Sequence, residues 1–302
     1  MPQGVCRLCK KDVELQLSHI VPAFIYRWMR ESSGNGHLRC TQTPNRRVQD
    51  GPQKHWLCAD CEGRFSRMER SFANQLFHPY LSSSGQRFQY GNWLLQFCTS
   101  VSWRVLHYYL SKDHKIAFGP IACAHIAEAE ATWRAFLLGY IPHPGSFRQH
   151  LIPLDRIEST TAKLPTNINR YLMRTINIDL CRGGDTIFVY SKLGRFLILG
   201  FVNEPNQNQW VGSKVNANQG TVEPKQYVCP AQFLSYLINK ANSTSTAISS
   251  ISDKQRSKSD EAFRSNIDRF VGSDLFKAMD ADVEMFGSAA FGSHTQEDEN
   301  KR

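Results

Sequence analysis

The apolar positions of this chain recur with two periods, and the dominant period changes along its length. Val13-Glu-Leu-Gln-Leu17 alternates apolar with polar residues, which predicts a short strand with His19 at its end. Pro22 can open a helix, because its missing N–H costs nothing in a first turn, and Phe24, Ile25, Trp28 and Met29 supply an apolar face. Ser32-Ser-Gly-Asn-Gly36 stops that helix, and the polar stretch to Gln53 reads as a loop with room for a short strand. It is long for a structureless connection, so it is expected to be tied down or functional. Past Trp56-Leu57, the spacing of Phe65, Met68, Phe72, Ala73 and Leu76 predicts a second helix. Pro79 to Tyr90 reads as a linker or turn. Asn92 can cap a helix running to about Leu110, apolar on nearly every side and therefore buried. Another helix runs from about Ile121 to Tyr140, stopped by Ile141-Pro-His-Pro-Gly145.

The texture then becomes strand-like. Thr186-Ile-Phe-Val-Tyr190 and Arg195-Phe-Leu-Ile-Leu-Gly-Phe-Val202 flank Gly194 as a hairpin of buried strands, preceded by a turn at Arg182-Gly-Gly-Asp185. That Gly pair is too short for a phosphate loop. Strand-like pieces follow from Trp210 to Val228, and Pro230 to Ala241 reads as helical. Asn242 to Ser252 reads as a Ser/Thr-rich linker, Asp253 to Met285 as one or two amphipathic helices, and Gly287 to Arg302 as a disordered polar tail. The division expected is thus residues 1–80, residues 91–241 as an α+β domain of unknown task, and residues 242–302 as linker, helices and tail.

Composition narrows the class. With 302 residues and 41% hydrophobic positions, the chain can bury a sizeable core. Charged residues interrupt every apolar run before residue 90, and Trp93 to Leu110 contains Gln96, Arg104 and His107. No signal peptide or membrane span is read, and a soluble cytoplasmic protein is expected. Nine cysteines in such a setting argue against a disulfide framework. Cys98 and Cys123, within apolar helical patterns, are expected as core filler. The net charge of +9 is uneven: residues 1–80 carry 12 Lys/Arg against 7 Asp/Glu, whereas residues 246–302 carry 8 against 11. A basic body with an acidic tail suits a polyanion, and equally suits ordinary solubility.

The chemistry concentrates before residue 75. Cys6-Arg-Leu-Cys9 and Cys58-Ala-Asp-Cys61 are two CxxC pairs, each in the turn-like context of a ligand knuckle, and together they predict a closed, structural Zn²⁺ site. No thioredoxin-like βαβ context surrounds either pair, which disfavours a redox dithiol. Between them lies Ser18-His19-Ile20-Val21-Pro22. Glu62 falls in a helix first turn, where a carboxylate suits the helix dipole or could ligate a metal. Arg46 and Arg47, and Lys10 and Lys11 beside the first pair, could meet phosphate or simply face solvent. His107 and His114 have no ligand partner at useful spacing, and Glu128 and Glu130 lie on different helix faces and read as solvated.

This arrangement resembles the HNH endonuclease family over roughly the first 75 residues: a CxxC, a strand ending in a histidine with an Ile-x-Pro continuation, a loop Asn, and Leu-Cys-x-x-Cys before a helix. The resemblance implies an N-terminal ββα-metal finger of treble-clef type, and with the α+β domain and helical C-terminal tail read from the residue pattern above, the fold class expected is α+β. It implies phosphodiester hydrolysis of nucleic acid, more readily DNA, in a setting such as defence or a mobile element. His19 would be the general base and Asn45 (or Asn35) would hold the histidine loop, while Cys6, Cys9, Cys58 and Cys61 would bind zinc without doing chemistry. Mg²⁺ or Mn²⁺ would sit on the scissile phosphate. Two positions depart from the family. Ser18 replaces the Asp or His before the catalytic histidine, and Glu62 replaces the closing His or Asn. Glu62 is a hard-oxygen ligand that could partly make up for Ser18. The rival expectation is a non-catalytic zinc module that binds nucleic acid or a protein partner, the latter also reachable through the middle domain or the C-terminal helices.

Overall fold

The computed structural model describes residues 1–111, 118–223 and 225–291. His114 and residues 292–302 of the polar tail lie outside the described residues. In chain order, the first strands are β1 (Gln3–Val5), β2 (Asp12–Glu14) and β3 (Gln16–His19). The helix α1 (Ala23–Glu31) follows Pro22 and buries Ile25, Trp28 and Met29. The polar stretch after it folds into a hairpin of β4 (Leu38–Cys40) and β5 (Thr43–Val48), and β6 (Gln53–Leu57) leads to α2 (Ala59–Phe72). A π-helical turn, Ala73–Phe77, carries α2 straight into α3 (His78–Ser82). Helix therefore occupies the start of the segment expected as a linker, and its end is β7 (Phe88–Gly91). The long apolar helices are α4 (Asn92–Ser111) and α5 (Pro120–Leu138), the latter closed by Gly139 in the left-handed conformation. Next come β8 (Gln149–Pro153), α6 (Ile168–Arg174), β9 (Ile176–Gly183), β10 (Thr186–Leu193), β11 (Phe196–Asn203) and β12 (Gln219–Val222). Four helices close the series: α7 (Ala231–Ser249), α8 (Asp253–Arg264), α9 (Ile267–Val271) and α10 (Asp274–Phe286).

All strand pairs are antiparallel, helices and strands are mixed along the chain, and the last four helices follow the last strand, an α+β arrangement. The chain forms two compact units that do not follow chain order. One contains residues 1–23, 51–153 and 176–229; the other contains residues 24–50, 154–175 and 230–302. The three sequential parts expected from the sequence are thus regrouped, and residues 1–80 are shared between both units.

The first unit is built on the sheet β8-β11-β10-β9. Its β10–β11 hairpin turns through Gly194 (φ 60°) and Arg195, with Leu193 opposite Phe196; Gly at the first turn position is the II′ pattern that matches strand twist. β10 and β11 are buried at nearly every position, so both faces of the central strands are covered. α4 crosses the sheet, with Gly200 allowing the close approach of Ser102. Phe196 gathers the core: Phe72 (5.3 Å), Phe77 (5.8 Å) and Tyr80 (4.9 Å) surround its ring, and Phe72 stacks on Phe97 of α4 at 3.9 Å. Cys98 is fully buried as expected, but Cys123 is exposed, because it lies near the start of α5, where Ile121 also faces solvent.

The second unit packs α6 against α7 and α10. The buried Asp282 of α10 accepts backbone N–H bonds from Asn169 (2.7 Å) and Arg170 (3.1 Å) in the first turn of α6 and pairs with Arg170 Nε at 2.8 Å. Burial pushes its carboxyl up, and those donors oppose the push. The expected Ser/Thr linker is instead the second half of α7. The hydroxyls of Ser243, Thr244 and Thr246 donate back to carbonyls four residues earlier, which keeps these polar residues helical. Residues 253–285 form three helices rather than one or two, and the start of the expected polar tail is a short 3₁₀ turn, Gly287–Phe291, with Ala290 buried.

Candidate metal centre and the histidine strand

Cys6 and Cys9 sit on a turn after β1 that closes by Lys10 N–H to Cys6 O (2.9 Å) and Cys6 N–H to Lys11 O (2.8 Å), with Lys10 left-handed at φ 64°. Cys58 stands at the N-cap of α2 and Cys61 in its first turn. These two knuckles bring all four sulfurs within 4.8 Å of one another. Cys9 Sγ and Cys58 Sγ are 3.8 Å apart. Four sulfurs each about 2.3 Å from a tetrahedral zinc ion stand about 3.8 Å from one another, so the cage has the right size. Burial disfavours the Cys6 thiolate, but backbone N–H groups of Cys58, Cys9 and Leu8 outweigh it and bring its pKa down to about 7. Burial and neighbouring thiols push Cys61 up, and burial pushes Cys9 up. A cation in the cage would favour the thiolate forms of Cys9 and Cys61 against that push. The four cysteines can hold a metal ion such as zinc.

His19 ends β3, which pairs with β6 so that His19 faces Gln53 and Ser18 faces Lys54. The Gln53 amide donates to His19 Nε2 at 2.7 Å, which leaves the ring proton on Nδ1. The His19 carbonyl accepts from Arg104 Nη1 (3.1 Å), whose guanidinium also pairs with Glu69 at 2.7 Å and is 3% exposed. Arg104 lies over Phe65, 5.1 Å from its centroid. A buried cation on α4 thus ties the end of the histidine strand to α2. Ser18 Oγ donates to Glu62 Oε2 at 2.7 Å, so these two residues, 44 positions apart, do meet.

Asn45 requires a correction. It belongs to the second unit, where its amide oxygen accepts from Ser252 N–H (2.7 Å) and its NH₂ donates to Ser250 O (3.4 Å). Asn35 is likewise in the second unit, accepting from His37 N–H and Ser33 Oγ. The side chain that holds the His19 ring is Gln53. Arg46 and Arg47 lie on β5 in the second unit, with Arg47 opposite Arg39 across the hairpin, whereas Lys10 and Lys11 are exposed in the first. Among the described residues, no second group of three His, Cys, Asp or Glu side chains converges as a metal site. Ser18 and Glu62 offer too few oxygen donors to fit Mg²⁺ or Mn²⁺ on their own, since such ions take about six ligands.

Two further clusters escaped the sequence. Glu130 is no solvated surface residue: it accepts from His107 Nε2 (3.0 Å) and Trp103 Nε1 (3.1 Å), so His107 does have a partner. Burial acts to raise its carboxyl, but these donors and Arg134 outweigh it and hold it below the ordinary value. His150 Nδ1 meets Ser213 Oγ at 2.9 Å, and its Nε2 lies 3.3 Å from Glu204 Oε1 without hydrogen-bond alignment. This serine–histidine–carboxylate set is sealed in the core, each residue at most 8% exposed, so no substrate reaches it. Arg104 had a signal, a lone charge in an otherwise apolar helix. The Glu130 and His150 partners are joined only by tertiary folding.

The chain matches no family model, no curated protein and no solved structure. Among the described residues, no helix is long and apolar enough to cross a membrane.

Proposed function

We propose that this protein is a zinc-stapled, HNH-like nuclease that hydrolyses phosphodiester bonds in nucleic acid, DNA in preference to RNA. The observation that carries this reading is the path from β3 to α2. His19 ends a strand paired with β6, β6 runs directly into Cys58 and Cys61, and Glu62 of the following helix reaches back to Ser18 at 2.7 Å. Two paired strands and a helix, stapled by a cysteine pair before the first strand and another at the helix start, are the parts of a ββα-metal finger. In that role His19 takes the proton of the attacking water on Nε2 once the Gln53 amide, which donates to that nitrogen at 2.7 Å, gives way to the water. Zinc, held by the four cysteines, fixes the finger and takes no part in the reaction. No step is assigned to Mg²⁺ or Mn²⁺, because Ser18 and Glu62 alone do not make a site for it.

The test is cleavage of supercoiled plasmid by the full chain with added Mg²⁺ or Mn²⁺, beside His19→Ala, with zinc content measured on both. Nicking by the wild type and none by the variant, at equal zinc, supports the reading. Equal inertness on DNA and RNA overturns it. The second reading, a non-catalytic zinc module that binds nucleic acid, is favoured by one observation: the four-cysteine group is the one convergent ligand set among the described residues.

A further inference from the structure

A groove of about 180 Å³ lies between α2 and α4 in the first unit, on the helix that also carries Cys61. Arg64, Arg67, Met68 and Ser71 of α2 line one side, and Trp93 and Gln96 of α4 the other. The spacings explain the grouping: residues three and four apart share a helix face. No carboxylate lines the groove. Among the described residues, none of the polar ends of Arg64, Arg67, Ser71, Trp93 or Gln96 is engaged by another protein group, whereas the neighbouring Glu69 is taken by Arg104.

We propose that this groove binds one unstacked nucleotide of a single nucleic-acid strand. The assignment rests on the nucleic-acid reading above and extends it to a place. Two guanidiniums with no protein partner offer paired donors to phosphate oxygens. An indole beside them offers a stacking surface that accepts any base. Gln96 and Ser71 add hydrogen-bonding groups at the edge. Size separates this ligand from a cofactor: pockets that enclose whole small molecules span about 300–1,000 Å³. A smaller, open groove suits one unit of a polymer whose neighbours continue past it. A bare anion site would explain the arginines and leave Trp93 without a role.

The test measures binding apart from cleavage. Fluorescein-labelled oligothymidine is titrated with the full chain without added Mg²⁺ or Mn²⁺, and anisotropy is read at several salt concentrations. Arg64→Gln with Arg67→Gln is expected to raise Kd at least tenfold. It should also flatten the dependence of log Kd on log salt by about 1.4, two contacts at about 0.7 each for a single strand. Trp93→Leu is expected to raise Kd roughly five- to a hundredfold with the salt slope unchanged, and Trp93→Phe to retain most binding. Arg182→Gln, at the exposed end of β9, is the charge control and should change Kd less than twofold. Zinc content and circular dichroism confirm that each variant folds. Wild-type affinity in both the double arginine variant and Trp93→Leu overturns the proposal. So does competition by a phosphopeptide as strong as that by unlabelled oligothymidine. Plasmid cleavage on the same proteins separates the two readings. If the wild type cuts and the groove variants bind and cut like it, the groove fails and the nuclease stands. If the groove variants lose binding while nothing is cut, the groove stands and the nuclease fails.

Discussion

Arg104 and Glu69 form an ion pair whose two members are buried unequally, and this predicts an order of mutational costs. Arg104 is 3% exposed on its side chain and Glu69 20%. Arg104→Met keeps the stem over Phe65 and removes the charge. Glu69 can then recover part of its hydration, so the cost is the lost hydrogen bonds, including the one to His19 O, about 2–3 kcal/mol. Glu69→Leu instead strands a guanidinium that cannot rehydrate, and should cost about 3–5 kcal/mol. The double variant should lose less than the two singles together, because no unpaired charge remains, with a coupling of about 2 kcal/mol. Urea unfolding followed by tryptophan fluorescence reads these values. Five of the six tryptophans (all but Trp28) lie in the first unit, so the signal reports the unit that holds the pair. The reasoning is refuted if Glu69→Leu costs less than Arg104→Met, or if either costs under about 1 kcal/mol.

Three further outcomes are expected. Purified protein should release one zinc per chain to a mercurial and a colorimetric chelator, and Cys61→Ser should abolish that release while lowering the melting temperature. The ionised Glu130 supplies stability that is complete above the unfolded carboxylate pKa and lost as pH falls through its lower folded value. Glu130→Gln should therefore be less stable than the wild type near pH 7, and urea melts should show the gap closing below about pH 4. Gly200→Ala should destabilise by about 1–3 kcal/mol in the same assay, because the added methyl runs into Ser102 and comes within 3.1 Å of Gln149 Oε1, two residues that hydrogen-bond each other at 2.7 Å.

What was legible in the sequence is what local physics decides. The α4 and α5 helices and the β10–β11 hairpin were readable because apolar period and turn glycines act within a few residues. The four-cysteine cluster was readable because two CxxC knuckles need little beyond their own turns to face one another. Asn45 was misplaced for the opposite reason. A loop asparagine satisfies whatever backbone lies near it after folding, and here that is Ser250 and Ser252, more than 200 residues on. The Ser/Thr run after Ala241 looked like a linker because these residues are weak helix formers. Nothing local reveals that α7 continues through it, with hydroxyls returned to its own carbonyls. Gln53 was hidden in plain view: its link to His19 depends on strand register, which hydrophobic pattern sets only loosely in strands this short.

The interleaving of the two units bears on how this chain can be made. The polypeptide passes from one unit to the other at 23/24, 50/51, 153/154, 175/176 and 229/230. A fragment ending at residue 80 would leave Phe65 and Phe72 without Trp103, Phe97 and Phe196, and would strand Glu69 without Arg104. During synthesis the first unit cannot be completed until Cys229 has emerged, roughly 10–45 s after residue 1 at about 5–20 residues per second. All four cysteine ligands emerge within the first 61 residues. The four cysteines can therefore come together before the rest of the fold, at a stage when the aromatic face of α2 is still uncovered.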